Sequence, residues 1–93
     1  MALRSVHVTI TGLVQGVGYR MFVEREVARR QLAGWVRNRR DGSVEAVFSG
    51  DEAEVAAMLE ACRRGPPAGR VEGVALEEYR GPVLTRFTVL PTA

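Results

Sequence analysis

The chain is organised around the stretch Gly12-Leu13-Val14-Gln15-Gly16-Val17-Gly18-Tyr19-Arg20, which lies between an alternating apolar run and a helical pattern. Glycine permits a positive φ angle and lets the backbone approach a ligand closely, and successive amides in such a turn form a nest for an anion. The helix that follows adds free N–H groups and the positive end of its dipole. We therefore predict that Gln15 to Arg20 form a cradle for a small oxyanion, with phosphate favoured. The alternative is a strand-to-helix connection whose glycines only make the turn.

The residues on either side of this stretch predict a strand and a helix. Arg4 to Thr11 alternates between apolar and polar residues, which indicates a half-buried strand. His7 lies on the polar face of that strand, so we predict a surface residue rather than a ligand or base. From about Arg20 to Leu32 the spacing is helical. The predicted apolar side of this helix comprises Met21, Val23, Val27, Ala28 and Leu32, and the residues expected to face water are Glu26, Arg29 and Arg30.

The remaining sequence predicts four more strands and a second helix. An Asp41-Gly42 turn separates two alternating segments, which is typical of a hairpin. A helix follows from Asp51, with Asp51 and Glu54 predicted as a capping box. Its stripe of Val55, Met58, Leu59 and Cys62 is predicted to be buried, so Cys62 is expected in the core and not as a nucleophile. The predicted strands are Gly34–Arg39, Val44–Ser49, Val71–Tyr79 with a bulge near Gly73, and Arg86–Leu90, and the helix ends at about Arg64.

This order of elements, βαββαβ with a short extra strand, predicts an α+β fold: a two-layer ferredoxin-like sandwich in which two helices cover one face of an antiparallel sheet. A right-handed crossover makes the first two strands parallel, so both end at the same edge of the sheet. The glycine loop leaves the first strand there, and Asn38 lies near the end of the second. Asn38 also shares the parity of Val36, which is expected to face the helices. We therefore predict that Asn38 projects towards the cradle and Arg20.

Length and composition limit the possibilities further. Ninety-three residues form one domain, spanning residues 1–93. Cys62 is the only cysteine, which excludes an internal disulfide, and with a single His it cannot make a structural zinc site. No apolar run approaches the length of a membrane span, so a cytoplasmic protein without membrane association is expected. The net charge of +2 suits small anionic substrates and is too weak to indicate nucleic acid.

Asn38 is the only asparagine in the chain, and the chain has thirteen arginines but no lysine. A GC-rich genome explains both the scarcity of asparagine and the lack of lysine, and avoidance of heat-labile amides also fits the scarcity of asparagine. The retained amide indicates that Asn38 is needed, although an asparagine ahead of a turn is common for structural reasons alone.

The predicted site contains a guanidinium that stays protonated and a neutral amide. Neither group titrates near neutral pH, and neither Gly12–Arg20 nor Gly34–Asn38 contains a Ser, Cys or His nucleophile or a metal-binding cluster. Such a site can only orient reactants and stabilise charge. This is sufficient where the leaving group needs no proton, as with the carboxylate of an acyl phosphate, and it is insufficient for the poor alkoxide of a phosphate monoester.

Two motifs resemble the acylphosphatase family: the glycine stretch Gly12–Arg20, and Gly34-Trp35-Val36-Arg37-Asn38 followed by Asp41-Gly42-Ser43-Val44-Glu45. The resemblance covers nearly the whole chain and implies an acylphosphate phosphohydrolase without cofactor or metal. It implies that Arg20 holds the phosphate, that Asn38 orients the attacking water, and that a phosphate oxygen takes up the proton of the water. Members of the family often have Leu-Gly where this chain has Arg30-Gln31, a departure that blurs the predicted end of the helix.

Three alternatives stay open from the sequence. The same module begins a larger hydrogenase-maturation carbamoyltransferase that handles carbamoyl phosphate, and a phosphate-sensing module without turnover would have the same residues. A ferredoxin-like RNA-binding module would need stacked aromatic residues on the open sheet face, where this chain offers His7, Thr9, Thr11, Arg37, Val47 and Trp35. Acyl phosphate and inorganic phosphate are the expected ligands of the favoured enzyme, and a monomer is expected because no apolar stripe lacks a partner.

Overall fold

The computed structural model describes residues 2–93, which form five strands and two helices. In chain order these are β1 (Leu3–Leu13), α1 (Tyr19–Arg30), β2 (Ala33–Asn38), β3 (Val44–Asp51), α2 (Glu52–Arg64), β4 (Arg70–Glu78) and β5 (Phe87–Val89). Every predicted element is present, with ends shifted by up to two residues. Within residues 2–93, no helix combines the length and the apolar character needed to cross a membrane.

The five strands form one sheet in the order β4-β1-β3-β2-β5. β1 and β2 both run antiparallel to β3, which lies between them, so they are parallel to each other as the crossover predicts. The two-layer ferredoxin-like fold is confirmed. β5, however, pairs in parallel with β2, so the expectation of a purely antiparallel sheet holds only for the first four strands. The reason is geometric: β4 ends beside the start of β1, and the chain then crosses that end of the sheet to enter β5 beside the start of β2.

One face of the sheet forms the core with both helices. The apolar residues of β1, Val6, Val8 and Ile10, are fully buried, as alternation predicts. α1 packs on β2 and β5, and α2 packs on β1, β3 and β4. The predicted stripe of α2 is buried in full, Cys62 included. A break in register between β1 and β4 leaves Glu72 unpaired beside Gly73, which confirms the predicted bulge.

The predicted faces of α1 are partly wrong. Met21 and Ala28, assigned to the apolar side, are exposed, and the buried side instead includes Tyr19 and Phe22. Glu26, expected to face water, is 7% exposed. It tolerates burial because its carboxylate accepts hydrogen bonds from two guanidinium groups that follow it on the helix: Arg29 at 2.9 Å and Arg30 at 3.0 Å.

The ends of the two helices also differ from the sequence prediction. α1 ends at Arg30, and Gln31 adopts a left-handed conformation with φ of 54°. The capping box at the start of α2 is not formed, because β3 continues through Asp51 and the Asp51 side chain makes no capping hydrogen bond. The Glu52 amide instead donates to the Ala2 carbonyl at 2.9 Å.

Candidate active site

The sheet brings the glycine loop and Asn38 to the same edge. Val44, the first residue of β3, pairs with Ile10 of β1 on one side and with Asn38 of β2 on the other. The two predicted motifs therefore leave the sheet at one level, and they meet across a cleft of about 540 Å³. The residues that line this cleft are Val14, Gln15, Gly16, Gly18, Arg20, Met21, Glu24, Asn38 and Val89.

Two glycines give the loop its course. Gly16 has φ of 73° and Gly18 has φ of 79°, both in the left-handed region. A Cβ at either position would meet no atom within 4 Å, so the requirement for glycine here is conformational and not steric. The two left-handed residues turn the backbone sharply between β1 and α1, and they leave the space in front of the loop open.

The start of α1 faces this space with its amides free. Gly18 is the N-cap residue, and the first helical hydrogen bond runs from the Phe22 amide to the Gly18 carbonyl at 3.0 Å. The amides before Phe22 have no partner within the helix. The first turn contains no acidic residue to offset the positive end of the helix dipole. An anion is the group that such a helix start attracts.

Three of the predicted cradle residues use their side chains to hold the loop in place. Gln15 Nε2 donates to the carbonyls of Arg39 at 2.7 Å and Ser43 at 2.8 Å, which ties the loop to the β2–β3 hairpin. Val17 packs against the core, and Tyr19 is 1% exposed. Neither of these two lines the cleft. Val17 and Tyr19 can therefore contact a ligand in the cleft only through their backbone amides.

Tyr19 is fixed by a buried hydrogen bond. Its hydroxyl donates to the carbonyl of Cys62 at 2.7 Å, which joins the start of α1 to the end of α2. Burial in this apolar environment raises the pKa of the Tyr19 phenol and raises that of the Cys62 thiol to about 12. Both groups are therefore neutral and structural, in agreement with the prediction that Cys62 is not a nucleophile.

Arg20 and Asn38 are the two polar side chains that were predicted to converge, and both line the cleft. Within residues 2–93, neither the Arg20 guanidinium nor the Asn38 carboxamide takes part in an ion pair or a side-chain hydrogen bond, so both groups are free to contact a ligand. The backbone of Asn38 is well anchored in contrast, because its carbonyl accepts a hydrogen bond from the Ala93 amide at 3.0 Å. A fixed backbone with a free carboxamide suits a group that positions a ligand.

Sequence reasoning missed Val14, Met21, Glu24 and Val89 as lining residues. Glu24 was recognisable in principle, because it follows Arg20 by four positions and therefore shares its side of the helix. Val89 reaches the cleft only because β5 lies parallel to β2, with Val36 opposite Val89. No periodicity within β5 indicates which strand it joins.

The cleft thus combines free backbone amides, the guanidinium of Arg20 and the free carboxamide of Asn38 with the Gln15 side chain, which is bonded to the hairpin, and the carboxylate of Glu24. The amides, the guanidinium and the free carboxamide are groups that can bind and orient an oxyanion, and none of these three is a nucleophile. Among residues 2–93, no group of three or more His, Cys, Asp or Glu side chains is placed to hold a metal ion.

Comparison with known proteins identifies the family. The sequence model of the acylphosphatase family matches residues 6–89. An acylphosphatase of Bradyrhizobium diazoefficiens is 48% identical, over 99% of both chains, and one of Moorella thermoacetica is 51% identical, over 94% of this chain and 96% of the relative. The crystal structure of acylphosphatase from Bacillus subtilis superposes with a TM-score of 0.88 at 38% identity, covering 96% of this chain and 99% of that one. The loop, the fold and these similarities agree that the chain belongs to the acylphosphatase family.

Proposed function

We propose that this member of the family hydrolyses acyl phosphates to a carboxylate and inorganic phosphate. The observation that carries the proposal is the meeting of the glycine loop, Arg20 and Asn38 in one cleft. A phosphate bound there accepts hydrogen bonds from the backbone amides of Gly16 to Arg20. The Arg20 guanidinium compensates the negative charge of the phosphate, and its paired donors fit two phosphate oxygens.

Asn38 is proposed to orient the attacking water. Its carboxamide accepts a hydrogen bond from the water and donates another to a neighbouring oxygen, which fixes the line of attack on phosphorus. The water attacks phosphorus, the P–O bond to the acyl group breaks, and the electron pair leaves on the carboxylate. A phosphate oxygen takes up the proton of the water. No protein group has to titrate, because a carboxylate leaves without protonation.

The test of this proposal is the replacement of Arg20. We expect purified wild type to hydrolyse acetyl phosphate and benzoyl phosphate in the presence of EDTA, with competitive inhibition by inorganic phosphate. Arg20→Gln keeps the fold and loses most of the phosphate affinity, and Arg20→Lys is also poor because the fork of donors is lost.

The matched control is Arg25→Gln, which removes an equal charge from an exposed position of the same helix. It is expected to retain the activity and the phosphate inhibition of the wild type. Full activity in Arg20→Gln with unchanged inhibition by phosphate would overturn the assignment of Arg20. A strict requirement for Mg²⁺ or Zn²⁺ would overturn the proposed chemistry.

We also propose that the enzyme acts as a cytoplasmic monomer without nucleic-acid partners. Its exposed large apolar residues are distributed over several elements, and two of them, Met21 and Val89, belong to the cleft. On the open sheet face, the Arg37 guanidinium lies 5.0 Å above the Trp35 ring and occupies the surface on which a base would stack. Light scattering that gives the mass of a dimer would contradict the monomer.

A further inference from the structure

The cleft is larger than a phosphate needs. Its volume of about 540 Å³ leaves room beside a bound phosphate for the group that the phosphate carries. The loop amides, Arg20 and Asn38 account for its polar part. The remaining lining residues are Val14, which is buried in the core, and Met21, Glu24 and Val89, which form the exposed rim and have no assigned role. These three residues, here called the acyl rim, differ in chemistry from the phosphate cradle.

Two members of the acyl rim are apolar and open to solvent. Met21 is 63% exposed and Val89 is 41% exposed, whereas the apolar residues of the core are at most 8% exposed. Exposed apolar surface that lines a concave site gains from being covered by an apolar ligand. The flexible thioether chain of Met21 can adapt to acyl groups of different shape.

The backbone places this apolar surface beside the reacting atoms. Met21 directly follows Arg20, and Val89 lies on β5, whose pairing partner β2 ends in Asn38. The Leu90 amide donates to the Val36 carbonyl at 2.9 Å, which holds Val89 next to that strand. Apolar surface from Met21 and Val89 therefore lies in the same cleft as Arg20 and Asn38, where a bound phosphate would carry its acyl group.

Glu24 supplies the third property of the rim, a carboxylate. It lies one helical turn after Arg20, and the ion pairs among residues 2–93 do not include it. Electrostatic forces extend over several ångströms in a cleft, so the negative charge of Glu24 repels a second negative group on a ligand. The bound phosphate tolerates it because Arg20 and the loop amides lie closer.

We propose that the acyl rim selects the acyl group: Met21 and Val89 bind apolar aliphatic or aromatic acyl chains, and Glu24 disfavours acyl groups that carry a carboxylate. This inference rests on the proposed hydrolysis of acyl phosphates. The preferred substrates are thus phosphates of monocarboxylic acids with apolar chains, and phosphates of dicarboxylic acids are poor substrates.

The test compares kcat/KM for benzoyl phosphate and succinyl phosphate, each relative to acetyl phosphate. Wild type is expected to prefer benzoyl phosphate. Glu24→Gln raises the succinyl-to-acetyl ratio about three- to tenfold, and the gain shrinks in about 0.5 M potassium chloride because salt screens the repulsion. Met21→Gln and Val89→Thr keep similar shapes, and each lowers the benzoyl-to-acetyl ratio several-fold.

The control is Glu52→Gln, which removes the same charge from the first turn of α2, at the opposite end of the sheet. It is expected to leave both ratios unchanged. Measurable turnover with ratios that none of the three rim variants alters would overturn the acyl rim and leave the proposed function standing. Absence of turnover with all three acyl phosphates would overturn the proposed function, and the acyl rim with it.

Discussion

Asn38 combines an anchored backbone with a free side chain. Its backbone is held within the sheet and by the Ala93 amide, and its carboxamide is free at the cleft. A side chain that only shaped the following turn would bond to that turn. Here the turn is closed without it, because Asp41 Oδ1 accepts hydrogen bonds from the amide and the hydroxyl of Ser43 at 2.9 and 2.6 Å.

We therefore predict that Asn38→Ala lowers kcat by about a hundredfold or more, since positioning supplies a few kcal/mol. KM and phosphate inhibition change much less than in Arg20→Gln. Asn38→Asp keeps the shape, loses the donor and adds a charge, so it also weakens phosphate binding. Measurements of kcat, the phosphate Ki and Tm check this. A lower Tm with intact kcat per folded molecule would mean that Asn38 is structural.

Gln31 is the only non-glycine residue among residues 2–93 with a positive φ, which is 54°. A left-handed conformation costs an L-residue about 1 kcal/mol, and glycine avoids most of that cost. Gln31→Gly is predicted to raise the free energy of unfolding by about 0.5–1 kcal/mol, and Tm by several degrees. Gln31→Ala has the same strain and serves as the control. Equal melting temperatures for the two variants would contradict the prediction.

At the scale of elements, the site depends on a connection between the glycine loop and the β2–β3 hairpin. The two hydrogen bonds of Gln15 Nε2 cross from the loop to the carbonyls of Arg39 and Ser43, on either side of the turn. They set the distance between the cradle and Asn38. Gln15 thus contributes to the site through the position of two elements.

Gln15→Leu is predicted to lower the free energy of unfolding by about 0.5–1.5 kcal/mol, because two hydrogen bonds between the loop and the hairpin are lost, although the Arg39 carbonyl keeps the Gly42 amide and the Ser43 carbonyl keeps the Arg39 amide as donors. It lowers kcat about tenfold as the loop and the hairpin lose alignment. Gln15→Glu is worse on both counts, since a carboxylate then faces two carbonyls. Denaturant unfolding and steady-state kinetics check the pair of variants. A loss confined to phosphate affinity would show that the Gln15 side chain binds the ligand directly.

β1 was predictable because its apolar and polar residues alternate strictly, and the meeting of Arg20 with Asn38 followed from the handedness of the crossover. The apolar side of α1 was not, because its stripe runs through Tyr19, Phe22, Val23 and Glu26, and a glutamate in that position reads as solvent-exposed. Only the neighbouring arginines on the folded helix explain its burial. Val89 was missed because the partner of an edge strand depends on the path of the chain around the sheet.

At the scale of the whole molecule, charges on the open face of the sheet join three strands. Glu45 of β3 accepts hydrogen bonds from Arg37 at 2.6 Å and Arg39 at 3.1 Å, and it contacts His7 Nε2 of β1 at 2.6 Å. Burial alone would raise the pKa of Glu45, but the bonds from His7, Arg37 and Arg39 outweigh it and lower the pKa from 4.5 to about 2.

Because the folded pKa is depressed, the charged form of Glu45 stabilises the fold above pH 4.5, and this contribution is lost as the pH falls to about 2. Glu45→Gln is predicted to be less stable than wild type at pH 7 by about 2–3 kcal/mol, with the difference closing in that acid range. Denaturant unfolding at pH 7, 4.5, 3 and 2 checks this, with exposed Glu52→Gln as control. Parallel curves for wild type and Glu45→Gln would refute the prediction.

The sheet order also has a consequence for how the chain is made. β1, the first of the five strands to be synthesised, lies between β3 and β4 and has no neighbour nearer in sequence. Both edges of β1 are therefore paired only after residues 44–51 and then residues 70–78 have been synthesised. Loop closure over such separations slows folding and prolongs the exposure of an unpaired apolar strand. While both edges of β1 are unpaired, its apolar residues favour aggregation of the nascent chain, and the loop proposed to bind phosphate cannot reach its final shape until β1 is paired.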